Sequence, residues 1–453
     1  MKKNISLLPV CLFISLFSIA QNVGIGTTNP KTAFHVAQNK SVLFGNDSSG
    51  SGIKLLWIPS RASFRSGVIG PIGGHPDFSG DIWNPDSIGY ASFAAGVQCR
   101  APVQGAIAMG YNIGSYGAYS VTLGYDNMNR ATESFTAGSH NAVSGMSNIT
   151  LGVNNSNSGT AAMVIGNANI ATSNLSAVVG SFCENYGFNS FVAGHSNRVN
   201  ASQAFVGGRN NIVNSEYATV FGLFNDSIAG SHPDDWNIND PLFMIGNGNS
   251  NENRKNAMVM LKNGRTGFGT NTPAGTLHVK GNSSMGVPEF MVEEQESDFA
   301  RISFRNLNPG YWDIAAFTNQ ILSPGSDSRF NIYFSGINAN VMSLHGNGNV
   351  VVAGTLTQSS DERLKKNIVP LRDVLSRLQS LNAYTYQWND SLRGKEIQLG
   401  FLAQEIEKEF PELVHADEKG MKSVAYSNMV PVLLEAIKEL KQEIDQLKKS
   451  RNN

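Results

Sequence analysis

Glycine recurs at Gly96, Gly110, Gly124, Gly138, Gly152, Gly166, Gly180, Gly194, Gly208 and Gly222, ten times at a spacing of fourteen residues without a slip. Each closes a short, mostly apolar run such as SFAAG, SVTLG, AMVIG or SFVAG. Three residues later stands asparagine in seven of the ten copies (Asn127, Asn141, Asn155, Asn169, Asn197, Asn211, Asn225), and seven residues later Gly, Ala or Ser in nine of ten. A fourteen-residue unit supplies two short extended segments and two corners. It cannot bury its own apolar face and must stack on its neighbours. The expected object is a β-solenoid of about ten coils, roughly 50 Å long at ~4.8 Å per stacked strand. Glycine and asparagine are expected at the corners, where they accept positive φ. The small residues permit close approach of neighbouring coils or chains, and the alternating apolar positions fill a narrow core.

Composition agrees: 46 glycines and a charged fraction of only 15% suit tightly turning β-structure. A formal net charge of −1 gives no polyelectrolyte argument for nucleic acid or an anionic membrane as partner. Cys99 and Cys183 share the asparagine column six coils apart, so roughly 29 Å would separate them, against a limit of about 7 Å for a disulfide. Two free thiols are expected, or pairing between chains where columns of different subunits meet. Over about 92–230 the repeat resembles the head of trimeric autotransporter adhesins, a left-handed parallel β-roll with three chains side by side. The resemblance implies a trimeric, elongated, surface-exposed head that binds a glycan or matrix ligand; a spacer without a ligand is the alternative.

The period breaks once, at SHPDDWNINDPLFMIG, where the next matching glycine, Gly246, arrives ten residues late. Asp234, Asp235, Asn237, Asn239 and Asp240 offer oxygens of the kind hard cations take. They lack the glycine and terminal glutamate of a known calcium loop, so the reading is a solvated excursion, with no metal and no cofactor. A glycan-degrading enzyme is the rival reading of the head, but Glu133, Glu184 and Glu216 occur singly and form no acid and base pair.

VGIGTTNPKTAFHV (23–36) returns as TGFGTNTPAGTLHV (266–279). Pro and Gly fix tight turns, and the closing alternation reads as a strand. No helix pattern follows either G-Φ-G, which argues against nucleotide loops, and His35 and His278 read as strand residues. The motif is similar to connectors of phage tail-fibre-like and bacterial surface proteins. Segment 300–356, with ARISFRN, WDIAAF, FNIYFSG and VMSLHGNGNVVVAGTL, continues that likeness and predicts a small β-domain.

The first twenty residues, with Lys2 and Lys3, an apolar run over 5–17 and Ser18-Ile19-Ala20, read as a secretory signal. The apolar run is short for a bilayer span of about 20 residues, and no transmembrane segment is expected after its removal.

From Asp361 charge and leucine rise and glycine falls. Leu433, Ile437, Leu440, Ile444 and Leu447 alternate spacings of four and three, a short heptad seam whose Ile/Leu pairing nominally favours dimers. SSDERLKKNI, GFLAQEIEKEFPELV and YSNMVPVLLEAIKEL together resemble the intramolecular chaperone of phage endosialidases and tail spikes, the S74 peptidase domain, over about 360–449. The resemblance implies a trimeric helical domain that templates assembly of the preceding β-fibre and then cuts itself off. Ser360, Asp361, Arg363 and Lys365 match the family's nucleophile motif, which places cleavage between Ser359 and Ser360. Ser360 would attack the preceding carbonyl while an uncharged Lys365 takes its proton and returns it to the leaving amine. An ordinary lysine titrates near ~10.4. Burial in a trimer, beside Arg363 and Lys366, would supply the depression required.

A five-residue offset puts Ser360 and Lys365 about 140° apart on a helix and on opposite faces of a strand, so the motif needs a bend or a lysine from a neighbouring chain. The same residues also read as a capping box, with Ser359 as cap and Glu362 three residues on.

The organisation read from the sequence is a signal peptide (1–20), a connector and β segment (21–90), a β-roll head (91–230), an insertion and end of the roll (231–256), a tail-fibre-like β module (257–359), a chaperone and autopeptidase domain (360–428) and a coiled coil (429–453). The corresponding function is a secreted, homotrimeric, adhesin-like cell-surface fibre. Its enzymatic activity is at most a single-turnover serine endopeptidase without an external substrate.

Overall fold

The computed structural model describes residues 22–70, 82–284, 286–319, 328–390 and 393–451. The segment read from the sequence as a secretory signal, 1–20, lies outside them. The chain divides into two compact units between Glu289 and Phe290.

In the first unit, ten five-residue strands from Phe93–Val97 to Thr219–Leu223 stack in parallel, each fourteen residues from the next. Gly138 lies on Gly152 and Gly152 on Gly166. Eight two-residue strands, from Gly114–Ser115 to Ile212–Val213, form the opposite sheet. Between the sheets runs a column of small side chains, among them Ala108, Thr122, Thr136, Thr150, Val164, Val178, Val192, Val206 and Val220, all buried. This is a parallel β-roll, as the period requires.

The ten repeat glycines meet the expectation for the corners, all at positive φ, whereas the asparagine column does not. Positive φ returns two residues after each repeat glycine, at Asn112, Asn154 and Asn210 but also at Gln98, Asp126, His140, Ala168 and Phe182, and again nine residues after it, at Asn189 but also at Tyr119, Glu133 and Leu175. Several of these, such as Ala168, Phe182 and Leu175, are not turn formers. The stack imposes the conformation, because the amide at each such corner donates to the preceding coil: Ala168 N–H to Val153 O and Phe182 N–H to Asn167 O, at 2.8 and 2.9 Å. That exchange offsets the roughly 1–2 kcal/mol of left-handed backbone.

The asparagine column lies inside the roll as a ladder. Asn127 Oδ1 accepts the Asn141 N–H at 2.8 Å, Asn141 Oδ1 that of Asn155 at 3.1 Å, and Asn155 Oδ1 that of Asn169 at 3.1 Å. From Asn127 to Asn211 each Nδ2 donates to a glycine carbonyl of the next coil, as Asn127 does to Gly138 at 2.8 Å, while Asn225 at the end donates to Ile212 O. The repeat glycines are needed for a second reason as well: a Cβ on Gly138 would overlap the Gly152 carbonyl. The small column is likewise a contact between coils, since a Cβ on Gly117 would overlap the Ala131 carbonyl.

Cys99 and Cys183 replace asparagine in the ladder, and both are free and fully buried. Their thiols face the carbonyls of Gly110 (3.2 Å) and Gly194 (3.4 Å), and burial pushes Cys99 up to about 11. Neither has exposed surface through which to reach another chain.

After the insertion Gly246 pairs with Gly222, so the late glycine resumes the register and the extra residues loop out between two coils. Within that loop Asp240 accepts the His232 N–H at 2.8 Å, and Asp234 accepts the Ser202 hydroxyl at 2.6 Å. Among the described residues no three His, Cys, Asp or Glu side chains are grouped to hold a metal. Antiparallel strands Asn256–Leu261 and Thr266–Phe268 extend the sheet, and Ser63–Ile69 continues it at the other end, Gly67 against Gly96.

The duplicated connector folds twice into the same single coil: Gly24 pairs with His35, and Gly267 with His278. In each copy the histidine Nδ1 accepts the backbone N–H four residues earlier, from Lys31 at 3.0 Å and Ala274 at 3.3 Å. The histidines tie down the proline turn.

The second unit opens with a five-stranded antiparallel meander, Ala300–Arg305, Tyr311–Phe317, Arg329–Phe334, Ala339–His345 and Val350–Val352. Three helices follow, α1 (Val374–Gln379), α2 (Ala403–Glu409) and α3 (Met429–Arg451), with two short strand pairs. Val374, Ile406, Phe410, Leu413, Met429, Val432 and Ala436 make their core. Among the described residues no helix is long and apolar enough to cross a membrane.

Candidate active site

The segment preceding α1 is extended except for one 3-10 turn, Glu362–Leu364. Asp361 caps it: its carboxylate accepts the Arg363 backbone N–H at 2.9 Å and the Arg363 guanidinium at 3.0 and 2.7 Å. Both interactions hold the Asp361 carboxyl below the usual range, the guanidinium foremost. The cap is therefore Asp361, and the expected Ser359 capping box does not form. Asp361 prevails because two bonds to Arg363 fix its carboxylate over the first free amide of the turn.

The turn supplies the bend that the motif needs. Leu364 N–H bonds to Asp361 O, and Lys365 N–H to Glu362 O. The chain doubles back, and Lys365 Nζ donates to Ser360 Oγ at 2.7 Å within one chain. Both side chains are exposed. Asp361 and Arg363 hold the turn and do not touch the Ser360 hydroxyl. Lys365 Nζ is the donor here and the Ser360 hydroxyl the acceptor; activating the nucleophile would require an uncharged amine that takes the hydroxyl proton.

Contacts over long sequence separations position this segment, and the sequence did not reveal them. Gln358 Nε2 donates to Ser427 Oγ at 3.3 Å, tying the residue before Ser359 to the approach of α3. The Glu439 carboxylate of α3 accepts the Val374 and Leu375 N–H groups at 3.2 and 2.7 Å, closing the start of α1. These bonds, Leu375 foremost, hold Glu439 below the ordinary glutamate range. Glutamate on an amphipathic helix looks like surface, and no local pattern distinguishes this one.

Helix α3 has two faces. Met429, Val432 and Ala436 pack into the core, while the predicted seam, Leu433, Ile437, Leu440, Ile444 and Leu447, is 39–68% exposed. None of the seam residues belongs to the buried core of its own chain.

The C-terminal segment matches the chaperone-of-endosialidase family over residues 360–415. The match begins on the serine of the Ser360–Lys365 pair. Long tail fiber protein Gp37 of Enterobacteria phage Ox2 is 33% identical over 110 residues, 23% of this chain and 43% of that protein. Gp37 of Enterobacteria phage M1 is 33% identical over 96 residues (20% and 38%), and that of Salmonella phage S16 is 31% identical over 110 residues (22% and 15%). The chain spans less than half the length of these relatives. It combines a fibre-like β-roll with a C-terminal segment of the chaperone-of-endosialidase type.

Proposed function

We propose that the protein is a secreted, homotrimeric surface fibre whose C-terminal segment templates assembly and then releases itself by cutting between Ser359 and Ser360. The 2.7 Å contact from Lys365 Nζ to Ser360 Oγ carries this reading. Neutral Lys365 removes the hydroxyl proton as Ser360 Oγ bonds to the Ser359 carbonyl carbon. The peptide C–N bond breaks, and the Ser360 amine takes the proton. Water then hydrolyses the ester, leaving a carboxylate on Ser359 and restoring the hydroxyl.

An ordinary lysine is protonated at pH 7, so burial of the exposed pair between chains would switch the chemistry on only in the assembled state. Trimerisation is supported by two apolar surfaces that one chain leaves open. They are the α3 seam and one face of the β-meander, with Ile302, Phe304, Trp312 and Phe330 all 40–54% exposed. The exposure of Lys365 favours a second reading, a chaperone segment that assembles without cutting. The roll presents the head, with a glycan or matrix ligand as its partner.

Denaturing mass measurement of the wild type, Ser360→Ala and Lys365→Met chains tests the proposal. A fragment beginning at Ser360 is expected from the wild type alone. Equal cleavage of Ser360→Ala refutes the mechanism, and an intact wild-type trimer establishes the non-cutting reading. Screening the intact Ser360→Ala chain against immobilised glycans separates adhesin from spacer.

A further inference from the structure

A strictly periodic roll has no backbone feature that fixes its height against a neighbour. Two rolls lying side by side and slid by one coil, about 4.8 Å, meet the same backbone again. Side chains alone can set the height.

The ten-stranded sheet turns two columns outward, the first residue of each strand, from Phe93 to Thr219, and the third, from Ala95 to Phe221. None of these twenty residues is charged, Thr219 is the one polar side chain, and none is buried in its own chain. The opposite sheet carries Glu184 and Arg198 outward, paired at 3.3 Å. About 43 Å long and two side chains wide, the apolar strip reaches the several hundred Å² at which exposed apolar surface marks an interface.

The two columns are complementary in size, strand by strand. Phe93 stands with Ala95, Phe135 with Ala137, Phe191 with Ala193 and Phe205 with Gly207, whereas Ile149 stands with Leu151. In side-chain heavy atoms the first column ranges from one to seven and the second from none to seven, yet the pair holds seven or eight in eight of the ten strands. Thr219 and Phe221 hold ten, and there the Phe221 ring leans over Gly207 of the preceding coil, 3.0 Å from where a Cβ would stand. Ala177 and Val179 hold four.

We infer that this face packs against the same face of neighbouring copies of the chain, and that the paired sizes lock all copies at one height. The inference rests on the homotrimer proposed above. Rotation about an axis along the roll sets the first column of one copy beside the second column of the next. At equal height the seam holds seven or eight atoms in nearly every layer. Slid by one coil in one direction, it swings between two atoms, where Ala177 meets Ala193, and fourteen, where Phe205 meets Phe221. Slid the other way it ranges from three to eleven. Underfilled layers leave voids and overfilled ones clash.

Maleimide labelling of cysteines placed on the intact chain tests the inference, because Cys99 and Cys183 are enclosed. Ile149, 45% exposed in a single chain, is the probe, and Ala142, exposed on the opposite sheet, is the reference. Ile149→Cys is expected to label about tenfold or more slowly than Ala142→Cys. Adding Ala137→Phe puts fourteen atoms in the neighbouring layer and is expected to bring the probe to the reference rate; adding Phe135→Ala as well returns the layer to eight and restores slow labelling. Phe135→Ala alone leaves two atoms there and is expected to speed labelling too, which keeps the test open should Ala137→Phe fail to fold by circular dichroism. A wild type that sediments as a monomer refutes the homotrimer and this inference together. A trimer in which Ile149→Cys labels as fast as Ala142→Cys, or in which the swapped pair Phe135→Ala/Ala137→Phe stays fast, overturns the inference alone.

Discussion

Replacing Cys183 with asparagine should stabilise the roll locally. The ladder enters this coil normally, with Asn169 Oδ1 accepting the Cys183 N–H at 3.0 Å. It leaves poorly: the thiol reaches Gly194 O at 3.4 Å, and the Asn197 N–H faces sulfur where other coils offer an amide oxygen. An asparagine would restore the Nδ2 bond to Gly194 O and the acceptor for Asn197. Each ordinary hydrogen bond contributes about 0.5–1.5 kcal/mol net. Allowing for the thiol contacts and the extra rotamer entropy, the gain is about 1 kcal/mol. Asn155→Ala works in the opposite sense. It removes the 2.9 Å donor to Gly166 O and the 3.1 Å acceptor of the Asn169 N–H. Two buried groups are orphaned, at a cost of about 3 kcal/mol.

Solenoid stability is close to a sum over neighbouring coils, so native-state hydrogen exchange reads these effects better than a global melt. Exchange at Asn197 should slow about fivefold in Cys183→Asn, and exchange at Asn169 should quicken about a hundredfold in Asn155→Ala. Unchanged or faster exchange in Cys183→Asn would refute the account of the column as a hydrogen-bonded ladder.

Thiol reagents should modify neither Cys99 nor Cys183 in the native chain and both after denaturation, as counted by mass, because both sulfurs are enclosed and burial raises their pKa values. Glu439 is held below its ordinary pKa by the Leu375 and Val374 amides. Its contribution is therefore present above pH ~4.3 and lost as pH falls through the lower folded value. Glu439→Gln should give a shallower acid-unfolding curve in that window by circular dichroism. Ile437→Asp, on the exposed seam, should dissociate the oligomer in sedimentation while leaving the circular dichroism of the monomer intact. Gly138→Ala should destabilise its coil by ~3 kcal/mol or more, read as lost exchange protection from Gly124 to Gly152, since a Cβ meets the Gly152 carbonyl at positive φ.

The stacked, parallel coil was legible because fourteen residues repeated without a slip admit one register, Gly on Gly. The role of the asparagines was not legible. Asparagine is both the residue after glycine most tolerant of positive φ and a donor-acceptor pair, and only the stacked neighbour reveals which property is used. Cys99 and Cys183 were placed in the right column, and their isolation follows from it.

For Ser360 and Lys365 the sequence supplied the residue types and the need for a bend. It pointed to Ser359 as the cap, whereas Asp361 and Arg363 lock the turn. The meander was readable as alternating strands. Which face lies inward was not, because alternation fixes two faces and leaves their burial to curvature and long side chains.

The sequence by itself determined the periodic architecture, the seam on α3 and the chemical identity of the Ser360–Lys365 pair, because each is written in spacing along one chain. Tertiary structure alone decided the asparagine ladder, the clasp of Glu439 on α1, the Gln358–Ser427 tether and the exposed apolar face of the meander. Each joins groups remote in sequence or depends on which side of a sheet excludes water. Hydrogen bonding and burial are properties of neighbours in space, and spacing along the chain encodes them only where the chain repeats.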